Sequence, residues 1–318
     1  MRKLATVRKI DAIYSIPGAD RIEQIIIGGW SLVSQKGLHE VGKHVVYCEP
    51  DSVLPVKEEY DFLKNYYINK HGFEGYRLKT IKLRGTISAG VILELGDLPK
   101  EEGLDVTEAL GIVKYEPPIP AELAGQIKGN FPSFLVKTDE ERIANFSHKD
   151  LEEIHGKELS ITEKLDGTSM TVFKHGEFGV CSRNWRLEES DNTMWKLARE
   201  IEHKIPEGIC VQGELIGPGI QGNYYNLKEP KFLTFTTYDI VNAKRVSTDL
   251  VDIPKVPYLG TITFEFTNKV DTITNLVNMA DGRSVISDVN REGLVFRNLE
   301  ANVSFKSISN KFLMKQKD

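Results

Sequence analysis

Lys164, Asp166 and Gly167 stand together in "ITEKLDGTSM", residues 161–170, where a strand-like run stops. A strand ending on this K-x-D-G spacing sets an amine and a carboxylate on one turn. The lysine is then either a surface residue beside that turn or a nucleophile. A lysine amine attacks only when deprotonated, and a reference pKa of about 10.4 keeps it charged at neutral pH. Nearby cations disfavour the ammonium and would release the amine. K-x-D-G fixes only three positions, and average residue frequencies produce it by chance in roughly one chain of this length in ten. The residues that follow raise its weight. In order they are Arg183 in "CSRN", Glu214 in "GELIGPGIQGN", Tyr238 in "TYDI", Glu292 in "REGLVF" and Lys306 in "SFKSISN". Independent chance does not readily give that succession.

Two common nucleotide cradles are missing. No G-x-x-x-x-G-K-[ST] loop occurs, and no G-x-G-x-x-G follows a strand and opens a helix. A nucleotide would have to be held another way. The six ordered elements between residues 161 and 311 resemble the motifs of the covalent nucleotidyltransferase superfamily, which comprises ATP-dependent DNA and RNA ligases and messenger RNA capping guanylyltransferases. "GELIGPGIQGN" is similar to the GEL-x-GPG-x-Q run of RNA ligases, and a strand-rich domain ahead of the K-x-D-G domain resembles the fifth RNA ligase family.

That resemblance implies an ATP-dependent RNA ligase using Mg²⁺ or Mn²⁺. Lys164 would attack the α-phosphorus of ATP in line with departing pyrophosphate and carry AMP as a phosphoramidate, and Arg183, Lys306 and the bound metal are the cations expected to lower its pKa. Asp166, Glu214 and Glu292 are the expected metal carboxylates. Mg²⁺ dehydrates reluctantly, so they are expected to hold it through its waters. Arg142, Glu163, Arg183, Glu214, Tyr238, Lys306 and Lys311 are the expected contacts to the nucleotide, with Glu214 on the ribose and Lys306 neutralising charge at the α-phosphate. Tyr238 matches an aromatic that stacks on adenine, while the alternation of Phe235, Thr236, Thr237 and Tyr238 leaves stacking and core packing both open. Many relatives carry K-x-K in the last motif; Ile308 occupies the second lysine's place here, and Lys311 is the candidate substitute.

By resemblance the substrate is RNA, expected at a nick in a duplex with RNA on the 3′-OH side. Two other classes are weighed. A DNA ligase or capping guanylyltransferase carries an OB domain after the last motif, and a dozen residues after Lys306 leave no room for one. A non-catalytic OB-containing nucleic-acid-binding protein has no need of Lys164, Asp166, Glu214, Glu292 and Lys306 together.

The elements that must position these residues divide the 318-residue chain in two. "ATVRKIDAIYSI", "RIEQIIIGGWSLV", "HVVYCEP" and "TISAGVILEL" read as short antiparallel strands closing a small OB-like barrel over residues 1–115. In "RLKTIKLRG", one strand would carry Arg77 and Lys79 on one face and Lys82 and Arg84 on the other, either as a solvated edge or against phosphates. Pro117, Pro118 and Pro120 mark a stiff linker over residues 116–130. From residue 131 to 318, strand runs interleave with a helix containing Trp195, Ala198 and Ile201, capped by Ser190 or Asp191, and a short helix ending near Gly282. The expected fold is α+β: the barrel, then an antiparallel-sheet, ATP-grasp-like nucleotidyltransferase domain.

Composition agrees with a globular protein at 40% hydrophobic and 27% charged residues. No apolar run approaches the ~18 residues of a membrane span, and the N-terminus lacks a signal peptide's apolar segment, so a cytoplasmic protein is expected. Cys48, Cys181 and Cys210 lie far apart, which argues against a zinc site or a disulfide framework. A net charge of −5 permits a local basic groove. Nothing implies an oligomer.

Overall fold

The computed structural model describes residues 3–116 and 125–314. The prolines expected to form the linker, Pro117, Pro118 and Pro120, lie outside the described residues.

The N-terminal region is a set of small antiparallel sheets. Ala5–Lys9 and Val91–Glu94 flank His44–Cys48, and Ala12–Ser15, Ile22–Ile27 and Trp30–Gln35 form a meander. Alternation along the meander sends Ile25, Ile27, Trp30 and Leu32 inward against Tyr47. Each of the longer runs expected as one strand is broken in two. "TISAGVILEL" divides at Gly90, whose φ is +98° and where an added Cβ would meet the Cys48 carbonyl oxygen at 2.2 Å, so only glycine lets the chain pass. "RIEQIIIGGWSLV" folds back at Gly28 and Gly29 into a hairpin. The basic run does not form one two-faced strand either. Arg77 closes Phe73–Arg77, Lys82 belongs to Thr80–Leu83, and Arg84 sits in the following turn. At the break, buried Leu78 donates its amide to the Ser52 carbonyl, and its own carbonyl accepts from the Asp51 amide.

Two larger sheets make the second region. One has seven strands in the order Ile127–Asn130, Trp185–Leu187, Phe178–Cys181, Thr168–Lys174, Ile209–Ile216, Lys231–Asp239 and Lys244–Val246. The other has five: Glu141–Arg142, Val303–Ile308, Gly293–Asn298, Glu158–Lys164 and Tyr258–Thr263. All pairings are antiparallel except Glu141–Arg142 with Val303–Ile308. Ile127–Asn130, expected within the linker, pairs with Trp185–Leu187 and so belongs to this region.

Each sheet carries its helix on the outer face. Thr193–Ile201 buries Met194, Trp195 and Ala198 against Val172, Val211 and Leu215. Its N-cap is Asn192, one residue past the expected caps, whose side chain accepts from the Trp195 amide at 2.9 Å. Lys269–Ala280 packs Ile273 and Leu276 against Leu159, Leu294, Phe296 and Phe305 of the five-stranded sheet. With helices outside, the inner faces of the two sheets meet, and Arg297 of one donates to the Phe235 carbonyl of the other. Among the described residues no helix is long and apolar enough to cross a membrane.

Candidate active site

The K-x-D-G turn is the point where the chain passes from one sheet to the other. Glu158–Lys164 ends on Lys164, residues 165–167 turn, and Thr168–Lys174 begins the middle of the seven-stranded sheet. Lys164 therefore lies on the seam between the sheets. Gly167 is required by close approach: an added Cβ would stand 2.4 Å from the Leu215 carbonyl oxygen and 2.9 Å from Glu214 Cγ. The turn is thereby laid directly on the strand that carries Glu214. Asp166 is fixed through its backbone, since its amide donates to Tyr225 Oη at 2.8 Å.

Strand register sorts the remaining candidates. Lys164, Gly293 and Ile308 lie in one cross-strand row, and Thr162, Val295 and Lys306 in another. Directly opposed residues share a sheet face, so Lys306 lies on the face of Lys164, and Ile308 lies in the row of Lys164 itself. Arg142 joins the same neighbourhood because it pairs with Lys306. Its guanidinium lies 4.9 Å from the centre of the Trp30 ring, contributed by the N-terminal region.

Glu163 is the exception. It stands in the row of Leu294 and Ser307, facing the core under helix Lys269–Ala280; it is 1% exposed and accepts from the Val285 amide at 2.8 Å. Period-two alternation turns its side chain away from that of Lys164. Lys311, on the helical turn Asn310–Leu313, lies 4.0 Å from Asp281. Arg183 pairs with Asp139 at 2.5 Å. Tyr238 lies opposite Cys210, on the strand face that also carries Gln212 and Glu214. It is buried beside Phe173, Cys181, Leu135 and Ile240.

The charges around Lys164 differ from expectation in sign. Its Nζ donates to Glu292 Oε2 at 2.7 Å. Burial pushes the ammonium towards deprotonation, but Glu292, Glu214 and Asp166 outweigh it and hold the pKa above its usual value. Sequence reasoning named both the cations that would activate the amine and these three carboxylates, but gave the carboxylates to the metal and did not weigh their own pull on the ammonium. Two of those carboxylates are shifted in turn. Burial pushes Glu214 up to about 8, with Glu292 and Asp166 adding to the rise and Lys164 opposing it. Burial followed by Glu292 raises Asp166 to about 6.

This donor set fits a divalent cation. Three buried or half-buried oxygen ligands that repel one another, with one ammonium between them, gain most from added positive charge. Among the described residues no group of three or more His, Cys, Asp and Glu side chains is gathered closely enough to hold an ion directly. That spacing suits a metal that keeps its waters.

Sequence reasoning missed two further contributors. Tyr225 follows the G-P-G run with no periodic signal of its own, and Arg297 is masked by the apolar run "GLVF". Arg297 binds Glu140 at 2.6 Å between the sheets.

Two family models match the chain, an OB-fold domain over residues 4–95 and an RNA ligase domain over residues 157–315. Among solved structures, the Naegleria gruberi RNA ligase with PPi is 38% identical over 99% of this chain and 99% of its own, with a TM-score of 0.86. A substituted form of that ligase with ATP and manganese gives 38% identity, the same 99% coverage of each chain and a TM-score of 0.88. Another, with AMP and manganese, gives the same three values. Among curated proteins, none matches.

Proposed function

The chain belongs to the RNA ligase family, as an ATP-dependent enzyme of it with an OB-fold domain in front, and from that premise we propose that it seals 3′-OH/5′-phosphate breaks at nicks in duplexes with RNA on the 3′-OH side. Three nucleotidyl transfers accomplish this. Neutral Lys164 Nζ forms a bond to the α-phosphorus of ATP while the bond to the bridging oxygen of the β-phosphate breaks and pyrophosphate leaves. The 5′-phosphate of the broken strand then takes AMP from Lys164. Finally the 3′-OH attacks that activated phosphate, forming the phosphodiester and releasing AMP.

The observation that carries this reading is Lys164 on the seam between two sheets, 2.7 Å from Glu292 and in the field of the half-buried Glu292, Glu214 and Asp166. Glu292 is the nearest acceptor for the proton Nζ must lose. Asp166, Glu214 and Glu292 are the residues that would hold Mg²⁺ or Mn²⁺, whose charge would free the amine and offset charge at the α-phosphate. Lys306 and Arg142, paired on adjacent strands, supply positive charge to the phosphates, and Arg183 adds to it from the bend between Phe178–Cys181 and Trp185–Leu187. Tyr238 offers its ring to adenine from the face that carries Glu214.

Incubation with ATP or GTP labelled at the α-phosphate tests the first step. Label from ATP is expected to stay on the denatured chain and to vanish in Lys164→Ala. Preferential label from GTP favours capping, and no label from either overturns the reading. Nicked duplexes with RNA or DNA at the 3′-OH then test the substrate, and equal sealing of both overturns the RNA preference.

A further inference from the structure

The segment after Gly217–Pro218–Gly219 turns through Gln221–Asn223 and delivers two consecutive tyrosines to opposite sides of the nucleophile. Tyr225 is buried to 1% exposure among Leu165, Ile216, Leu233 and Val256, and its hydroxyl accepts the Asp166 amide proton at 2.8 Å. Tyr224 donates its hydroxyl proton to the Asn290 carbonyl at 2.7 Å, two residues before Glu292. The two rings meet edge to face at 5.3 Å, and Tyr224 also meets Phe312 at 5.4 Å. One rigid aromatic pair thus binds the backbone on the Lys164–Asp166 side and the backbone on the Glu292 side. We propose that Tyr225 and Tyr224 are positioning residues that fix the K-x-D-G turn and the Glu292 approach relative to each other, and so set the geometry in which Lys164 meets the α-phosphate.

The physical argument rests on what each hydroxyl does that a phenyl ring cannot. The Tyr225 oxygen offers a lone pair to the Asp166 amide at 2.8 Å, and a phenyl ring has none to offer. A Tyr225→Phe variant keeps the ring and its packing but leaves that amide without its acceptor at a tight turn. Asp166 and Lys164 flank Leu165 on this turn, so a shift there moves a metal-binding candidate and the nucleophile together. Tyr224→Phe loosens the opposite wall, where Glu292 meets Nζ. Neither hydroxyl contacts a reacting atom, so both act through the groups they hold.

The inference rests on the Lys164 adenylylation proposed above, and a three-part measurement separates the two. Lysyl-AMP formation is followed from α-labelled ATP, sealing is followed separately with a nick already carrying AMP on its 5′-phosphate, and thermal unfolding is recorded. Tyr225→Phe is expected to lower the rate constant of lysyl-AMP formation roughly 10- to 100-fold with little change in KM for ATP. It should retain most of the sealing of the pre-adenylylated nick. Tyr224→Phe should act in the same sense and more weakly. Wild-type label together with an unchanged first step in Tyr225→Phe overturns the clamp. So does an equal loss in both steps accompanied by a large fall in melting temperature, which marks general loosening. Absence of label in the wild type instead overturns the adenylylation reading.

Discussion

Two groups of charged side chains lie between the same pair of sheets. Glu140 and Arg297 are matched one to one, at 2.6 Å and with side-chain exposures of 9% and 11%. Burial pushes Glu140 up, yet Arg297 outweighs it and holds the carboxyl below its usual range. Arg297 also donates through Nη1 to the Phe235 carbonyl and through Nε to Ser304 Oγ. At the seam, by contrast, one ammonium faces Glu292, Glu214 and Asp166, and two of these acids are driven up to about 8 and about 6. The first group is closed and joins the sheets. The second carries surplus negative charge, which a folded chain tolerates where a cation is to be taken up.

The largest effect expected from that contrast is on chemistry. Lys164→Ala abolishes lysyl-AMP formation while sealing of a pre-adenylylated nick persists, because only the first two transfers use the amine. Persistence of covalent label in this variant would locate the nucleophile elsewhere. Next in size comes the closed group. Arg297→Met leaves Glu140 buried without its partner and should cost about 3–5 kcal/mol in urea unfolding. The double variant Glu140→Gln with Arg297→Met should recover part of this, and a loss below about 1 kcal/mol in the single variant would place the pair among ordinary surface contacts.

Glu214→Gln should separate stability from activity. Because the folded state raises the Glu214 pKa to about 8, that carboxyl favours folding while protonated. Its contribution is whole below the unfolded value near 4.3 and is lost as pH rises towards 8. Replacement by a neutral amide is therefore expected to raise the melting temperature by about 2–4 °C at pH 8, with the gain shrinking towards pH 4.5, while labelling falls. A gain that grows on acidification contradicts the sign of this shift.

Lys164, Asp166, Glu214 and Glu292 were legible because each belongs to a short motif whose order survives in one dimension. The antiparallel α+β class of the second region was legible because strand runs recur between isolated helices, whereas its division into two sheets was not. What escaped depends on three dimensions. Glu163 is adjacent to Lys164 in sequence yet turned into the opposite core by alternation. The sign of the field at Lys164 depends on three acids brought from separate elements, 128 residues apart for Lys164 and Glu292. Strand breaks in the barrel follow from single backbone contacts, such as the Cys48 carbonyl against Gly90, which no periodicity announces. Tyr225 has the composition of an ordinary core residue, and only its hydrogen bond to Asp166 sets it apart.

The smallest expected effect is also the most direct reading of the surplus charge. A cation taken up by these carboxylates must displace the protons they hold. Asp166 is raised to about 6 and Glu214 to about 8, so Mn²⁺ should bind the nucleotide-free protein more tightly as pH rises through that interval. Calorimetry at pH 7 in two buffers of different ionisation enthalpy should show release of roughly one proton per ion bound. The chief source is Glu214, which is still largely protonated at that pH while Asp166 is mostly ionised. Glu214→Gln should then bind the ion more weakly and release fewer protons, whereas Glu140→Gln should change neither quantity, because that acid is already charged and paired. Proton release that survives in Glu214→Gln would move the titrating group away from this strand, and equal changes in both variants would erase the distinction between the closed pair and the open site.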